Sequence, residues 1–197
     1  MVNFLLPTFR NGPSLRLDGG RVYLRAATLD DWKNWSDLRE ASRDFLVPWE
    51  PTWPPDCLTR DAFSRRLRRH QVDWHNDAAY NLLIFRQQDH AIVGGLSINQ
   101  IRRGVAQTGT LGYWTGQPYV RQGYMFEATQ LLLAHAFGQL VLHRVEAGCV
   151  PTNEPSAQLL LKLGFTEEGY ARQYLRINGK WEDHRLFGLL REDFLKP

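Results

Sequence analysis

The chain has 197 residues, 43% of them hydrophobic and 23% charged, a balance that suits one packed core and excludes a disordered chain. A formal net charge of +3 is far from that of a dedicated nucleic-acid binder, and no run reaches the roughly 18 to 20 uncharged apolar residues of a bilayer-crossing helix. Two cysteines, Cys57 and Cys149, are too few for a disulfide scaffold and too far apart for a zinc knuckle, so we expect a cytoplasmic protein with free thiols and no metal, membrane or DNA partner.

Residues 1–20 mix Pro7, Gly12, Pro13, Gly19 and Gly20 with isolated apolar side chains, which predicts an extended lead-in to a single domain over 21–197. Residues 21–27 alternate, with Val22, Leu24 and Ala26 opposite Tyr23 and Arg25, as a half-buried strand does. Thr28 caps an acidic first turn of Asp30 and Asp31, and Trp32, Trp35, Leu38 and Phe45 follow at helical spacing, so a helix covers most of 29–44. In 47–55, Pro48, Pro51, Pro54 and Pro55 remove donors and fix the backbone, leaving a rigid aromatic loop that carries Trp49, Glu50 and Trp53. Ala62, Phe63, Leu67 and Val72 restore helical spacing over 59–76, while Arg60, Arg65, Arg66, Arg68 and Arg69 crowd the remaining surface.

Two β-rich runs, 79–85 and 91–101, are joined by a polar turn as a hairpin, and 107–115 is a further strand ended by Gly116, Gln117 and Pro118. Met125, Ala128, Leu132, Ala136 and Leu140 step by three and four, placing a long helix over 122–140. A strand at 144–150 is broken by Pro151-Thr152-Asn153, and Asn153 caps a short helix, 154–163, that Gly164 stops. Tyr174 to Ile177, the turn Asn178-Gly179 and 181–190 form a closing hairpin. Antiparallel strands followed by a strand, helix, strand crossover predict the α/β (α+β) class: a mixed, mostly antiparallel twisted sheet flanked by helices.

The chemistry concentrates at 118–128, Pro-Tyr-Val-Arg-Gln-Gly-Tyr-Met-Phe-Glu-Ala, where a strand hands over to a helix through a glycine. Backbone N–H groups without helical partners collect there and the helix dipole adds positive potential, the arrangement that cradles phosphate oxygens. Taken alone, a glycine before a helix serves as well as ordinary punctuation. With the strand 144–150, then Asn153-Glu154-Pro155-Ser156 and Leu160-Leu161-Lys162-Leu163-Gly164-Phe165, the junction resembles the GCN5-related N-acetyltransferase (GNAT) family, over about 21–190. Pro48-Trp49-Glu50-Pro51, Leu111-Gly112-Tyr113-Trp114, Gly123-Tyr124-Met125-Phe126-Glu127-Ala128 and Gly179-Lys180-Trp181-Glu182-Asp183-His184 are most similar to its branch that acetylates the N-terminal alanine of ribosomal proteins.

The resemblance implies a GNAT-like fold and transfer of acetyl from acetyl-coenzyme A to an amine, without a metal. Tyr113, Trp114, Arg121, Gln122, Gly123, Tyr124, Met125, Asn153 and Ser156 would meet the coenzyme, its diphosphate at the Gly123 turn and its sulfur beside Asn153 and Ser156. A backbone N–H near Tyr113 and Trp114 would meet the oxyanion, and Ser156 would protonate the leaving thiolate, although the same serine serves equally to complete a helix cap with Asn153. Trp49, Glu50, Trp53 and Tyr113 would shape the acceptor groove. The family pattern has Gln or Arg where Val120 stands and Gly or Ala where Met125 stands, a departure that touches side-chain contacts to the diphosphate and leaves the backbone ones intact.

The reaction asks little of a base, because an α-amine titrates at about 7.7 to 8 and is partly neutral at pH 7. A carboxylate acting through water suffices, and Glu50 in the aromatic loop is the candidate; the same carboxylate equally caps a turn or binds the substrate ammonium. Some relatives carry a catalytic glutamate near the start of the closing hairpin, where Tyr174 and Leu175 stand here, so that role does not carry over. The expected acceptor is a protein N-terminus, with ribosome association; a polyamine, aminoglycoside or amino acid is the alternative. A different class, an RNA- or ribosome-binding module, rests on the arginines of 60–69, whose apolar stripe and Asp61 favour a solvated face. Gly95-Leu96-Ser97-Ile98-Asn99 lacks the second glycine of a nucleophile elbow, the six histidines show no ligand spacing, and Cys149 is expected to be an inert core thiol.

Overall fold

The computed structural model describes residues 15–196. Its strands are β1 (Arg16–Asp18), β2 (Val22–Arg25), β3 (Tyr80–Arg86), β4 (Ile92–Arg102), β5 (Thr108–Thr115), β6 (Arg144–Cys149), β7 (Thr166–Ile177) and β8 (Lys180–Leu190). They form one sheet in the order β1-β2-β3-β4-β5-β6-β8-β7, antiparallel throughout except between β5 and β6. The helices are α1 (Trp32–Ala41), α2 (Arg43–Leu46), α3 (Arg60–His75), α4 (Tyr124–Gly138), α5 (Glu154–Lys162) and α6 (Arg191–Phe194). No helix of the described residues is long and apolar enough to cross a membrane.

Both faces of the sheet centre are covered, and the sequence of β3 shows why. Leu82 and Ile84 join one cluster with Leu132, Leu133 and Phe137 of α4 and Leu160 of α5, whereas Leu83 and Phe85 join another with Trp35 of α1 and Phe63 of α3. Successive side chains of a strand point to opposite faces, so a strand buried on both sides reads as an unbroken apolar run. Helix α4 is buried along most of its surface, from Met125 to Phe137, and Thr129 satisfies its buried hydroxyl by donating to the Met125 carbonyl at 2.8 Å.

Four boundaries depart from expectation. Residues 16–18, inside the expected lead-in, form β1 and pair Leu17 with Leu24; three residues are too few to display alternation, and residues 1–14 of the lead-in lie outside the described residues. The expected helix over 29–44 is divided into a 3-10 turn, Leu29–Asp31, then α1 and α2. Val47–Trp49, at the start of the expected loop, is a further 3-10 turn, which accepts Pro48 because a first-turn N–H has no helical partner to lose. Strand β7 begins at Thr166 rather than near Tyr174: nearly all its residues are exposed, so no apolar alternation marks it, and it is held by pairing with β8 across the left-handed Asn178-Gly179 turn.

The break in the sheet matters most. β5 and β6 pair only over Thr108–Thr110 and Arg144–Glu146, although they run on to Thr115 and Cys149. Beyond those rungs the two parallel strands part. Gly116 N–H donates to the Val93 carbonyl at 2.9 Å, and the alternation of an antiparallel ladder then turns the N–H and C=O of Tyr113 away from β4, toward the gap.

Candidate active site

The turn ahead of α4 is shaped by two left-handed residues, Arg121 (φ 62°) and Gly123 (φ 80°). Gly123 is the N-cap and supplies no side chain, so the first helical bond is Glu127 N–H to the Gly123 carbonyl at 3.2 Å and the amides before it have no helical acceptor. The turn is braced from outside. Arg21 donates through Nη1 to the Gln122 carbonyl (3.0 Å) and through Nε to Glu127 (3.0 Å), while Gln122 Nε2 donates to the Pro118 carbonyl (2.8 Å). A Cβ on Gly123 would stand 3.1 Å from Arg21 Nη2, so the brace itself keeps this position free of side chain. Arg121 is exposed and Tyr124 half-buried beneath Arg21, whereas the Met125 side chain is buried in the core and only its backbone faces the turn. This bare N-terminus fits an anionic diphosphate.

In the gap between β5 and β6, the Tyr113 hydroxyl lies 2.6 Å from Ser156 Oγ. Asn153 caps α5 by accepting from Ser156 N–H at 3.2 Å, so the serine's amide belongs to the cap while its hydroxyl faces Tyr113 and the Cys149 thiol. Burial pushes the Tyr113 phenol above its ordinary value, and the phenol therefore stays a proton donor at working pH. Cys149, at the end of β6, is also buried, and desolvation pushes its thiol up, which keeps it neutral.

On the opposite face of the sheet a cleft of about 300 Å³ opens over Gly95, Ser97 and Gly112, walled by Trp35, Phe63 and Trp114 and bounded by Tyr113, Glu50, Arg66 and His70. Gly112 and Gly95 make room for it, since a Cβ on Gly95 would stand 2.5 Å from the Trp114 indole nitrogen. Glu50 stands at the cleft, but its carboxylate accepts from both guanidinium nitrogens of Arg39 (2.8 and 2.5 Å) and from the Trp53 indole (2.7 Å). Arg39 is itself almost fully buried among indoles, its guanidinium carbon 4.3 Å from the Trp53 ring centre and 4.8 Å from that of Trp114. Trp53 thus reaches the cleft through Glu50 and Arg39, while Trp49 is half-buried outside its lining.

The fold therefore brings Glu50, Tyr113 and Trp114 to one cleft, Tyr113, Asn153 and Ser156 to one gap, and residues 121–125 to one turn. Sequence reasoning missed Arg39, Arg66 and His70. Arg66 was expected on a solvated face, yet it lines the cleft against Trp35, 4.8 Å from its ring centre. Its position one turn after Phe63, a fully buried residue, is the signal that points it inward. Among the described residues no group of three or more His, Cys, Asp or Glu side chains could hold a metal ion.

A family model described as an acetyltransferase (GNAT) domain matches residues 21–166. The chain is similar to the probable N-acetyltransferase YjcK of Bacillus subtilis (strain 168), 35% identical over 177 residues that cover 90% of this chain and 98% of that one. It is 32% identical over 184 residues to the [ribosomal protein uS5]-alanine N-acetyltransferase of Escherichia coli (strain K12), covering 93% and 95%. Among solved structures, that of Mycobacterium smegmatis RimJ in complex with CoA-disulfide superposes with a TM-score of 0.84 at 29% identity, over 89% of this chain and 84% of that one.

Proposed function

The chain belongs to the GNAT acetyltransferase family, and from that premise we propose that it moves acetyl from acetyl-coenzyme A to the N-terminal α-amine of a protein, a ribosomal protein being the favoured class. The coenzyme in the RimJ structure and the uS5-alanine activity of the E. coli relative support this reading. The observation that carries it is the shared stretch Gly112–Trp114, reached from one face by the cleft and bordered by the Tyr113 and Ser156 hydroxyls at the gap.

The thioester supplies the activated acetyl group. The amides of the Gly123 turn hold the diphosphate, and the Tyr113 N–H, directed into the gap, meets the carbonyl oxygen as it gains charge. Ser156, hydrogen-bonded to the Tyr113 hydroxyl, gives its proton to the departing sulfur, whose thiol has a reference pKa of about 8.5, and is reprotonated through water by the proton that the acylated nitrogen sheds. No strong base is needed, and Glu50, with its oxygens engaged by Arg39 and Trp53, acts as a positioning residue that ties the 50–53 loop to α1 at the cleft mouth.

The test is a panel of acceptors incubated with acetyl-coenzyme A and followed by thiol release and product mass: short peptides with free N-terminal Ala, Ser or Met against polyamines, an aminoglycoside and free amino acids. Acetylated N-terminal peptides are expected. Turnover confined to the small amines would replace the protein acceptor with a small-molecule one.

A further inference from the structure

Besides Tyr113, three ionisable side chains border the cleft, and they are not alike. Glu50 is neutralised within the fork of Arg39. His70 is pushed down to about 4, by burial first and then by Arg66 and Arg69, so it is a neutral imidazole at pH 7. Arg66 alone brings an uncompensated charge: it makes no ion pair and no hydrogen bond among the described residues, and its one partner is the Trp35 ring face. Burial disfavours its charge first, then Arg39 and Arg69, both of its own sign, while Cys57 and Glu50 act more weakly in the other direction. Arg65 and Arg68, also of α3, sit outside, on Asp56 and Ser64.

A half-buried guanidinium with no acid paired to it is costly to hold empty and becomes favourable when the occupant supplies the anion, because a carboxylate fills the planar fork with two charge-assisted bonds. We propose that Arg66 is a specificity residue of the acceptor cleft, pairing with a carboxylate that the acceptor carries close to the amine that is acetylated. The neutral His70 ring beside it adds hydrogen-bonding capacity without competing charge. This inference rests on the proposed peptide acceptor, for which the carboxylate is an Asp or Glu side chain within the first few residues. The α-carboxylate of a free amino acid offers the same chemistry from a second source.

The experiment uses the full chain and hexapeptides beginning with free Ala, each with Glu at position two, three or four, beside the Gln counterpart; free glutamate and its diamide form a separate arm. At one position at least, the Glu peptide is expected to exceed its Gln counterpart about tenfold in kcat/KM, through KM rather than kcat. Arg66→Gln is expected to abolish that preference while leaving the acetyl-coenzyme A thermal shift unchanged, and Arg66→Lys to keep part of it. Equal use of Glu and Gln peptides by the unaltered protein, or a preference that survives Arg66→Gln, overturns the proposal. Failure of every peptide with turnover of the amino acid arm defeats the protein acceptor instead; an Arg66-dependent preference for glutamate over its diamide still upholds the carboxylate site, and its absence removes that too.

Discussion

A hydroxyl 2.6 Å from another can donate or accept, and the direction between Tyr113 and Ser156 determines whether the serine has a proton to give away. Burial keeps the phenol protonated, so it can donate its hydrogen bond to Ser156 Oγ and leave the serine's own proton free to pass to sulfur. Ser156→Ala is expected to lower kcat about ten- to a hundredfold, and Tyr113→Phe by a smaller factor, with acetyl-coenzyme A affinity in both read by thermal shift and unchanged. Unaltered turnover in Ser156→Ala would leave the serine as part of the Asn153 cap alone. His70 makes a pH-dependent contribution to stability. Its native value, about 4, lies below the unfolded 6.5, so the unfolded chain binds the proton first and stability is lost as pH falls from 6.5 toward 4. Replacing it with Gln should flatten part of the fall in Tm across that window; His135, also lowered by burial, supplies a further part and remains in the variant. These two hydroxyls are named by the sequence, but their contact is not, because 43 residues separate them along the chain.

Two elements each carry a tie that one substitution tests. The loop at 50–53 is fastened to α1 by the Arg39–Glu50 pair, whose side chains are 8% and 21% exposed. Glu50→Gln leaves the guanidinium uncompensated and should cost about 3 kcal/mol, a Tm fall of roughly 6 to 12 °C for a chain of this size, with a much smaller relative loss of kcat at temperatures where the variant is folded. A kcat collapse with unchanged Tm would return Glu50 to the role of a base. The turn before α4 depends on Gly123. A side chain there meets both the left-handed backbone, a cost of about 1 to 2 kcal/mol, and Arg21 at 3.1 Å. Gly123→Val should therefore weaken acetyl-coenzyme A binding at least tenfold, measured by titration calorimetry. At this scale the sequence was informative wherever one face of an element is buried, as for Leu132 and Ala136 of α4, and silent for β7, whose residues face solvent and whose existence rests on backbone pairing with β8.

For the whole molecule, the parting of β5 and β6 opens a gap in the middle of the sheet, and in the proposed function the coenzyme enters there without breaking the core. Filling the gap and the turn couples binding to stability: acetyl-coenzyme A at about a hundred times its Kd should add about 2.7 kcal/mol, a Tm rise of roughly 5 to 11 °C. The absence of any rise, with RNA producing a salt-sensitive one, would speak for the binding-module reading instead.

The sequence by itself determined the mixed sheet, the long buried helix after Gly123 and the family, because periodicity, capping and turn chemistry are written in residues near one another along the chain. Only the tertiary structure decided that Arg39 occupies Glu50, that Arg66 turns into the cleft over Trp35, and that Tyr113 meets Ser156. Those pairings join segments 11 to 43 residues apart, and the distance between two such side chains is set by how the sheet twists and parts, which no local pattern encodes.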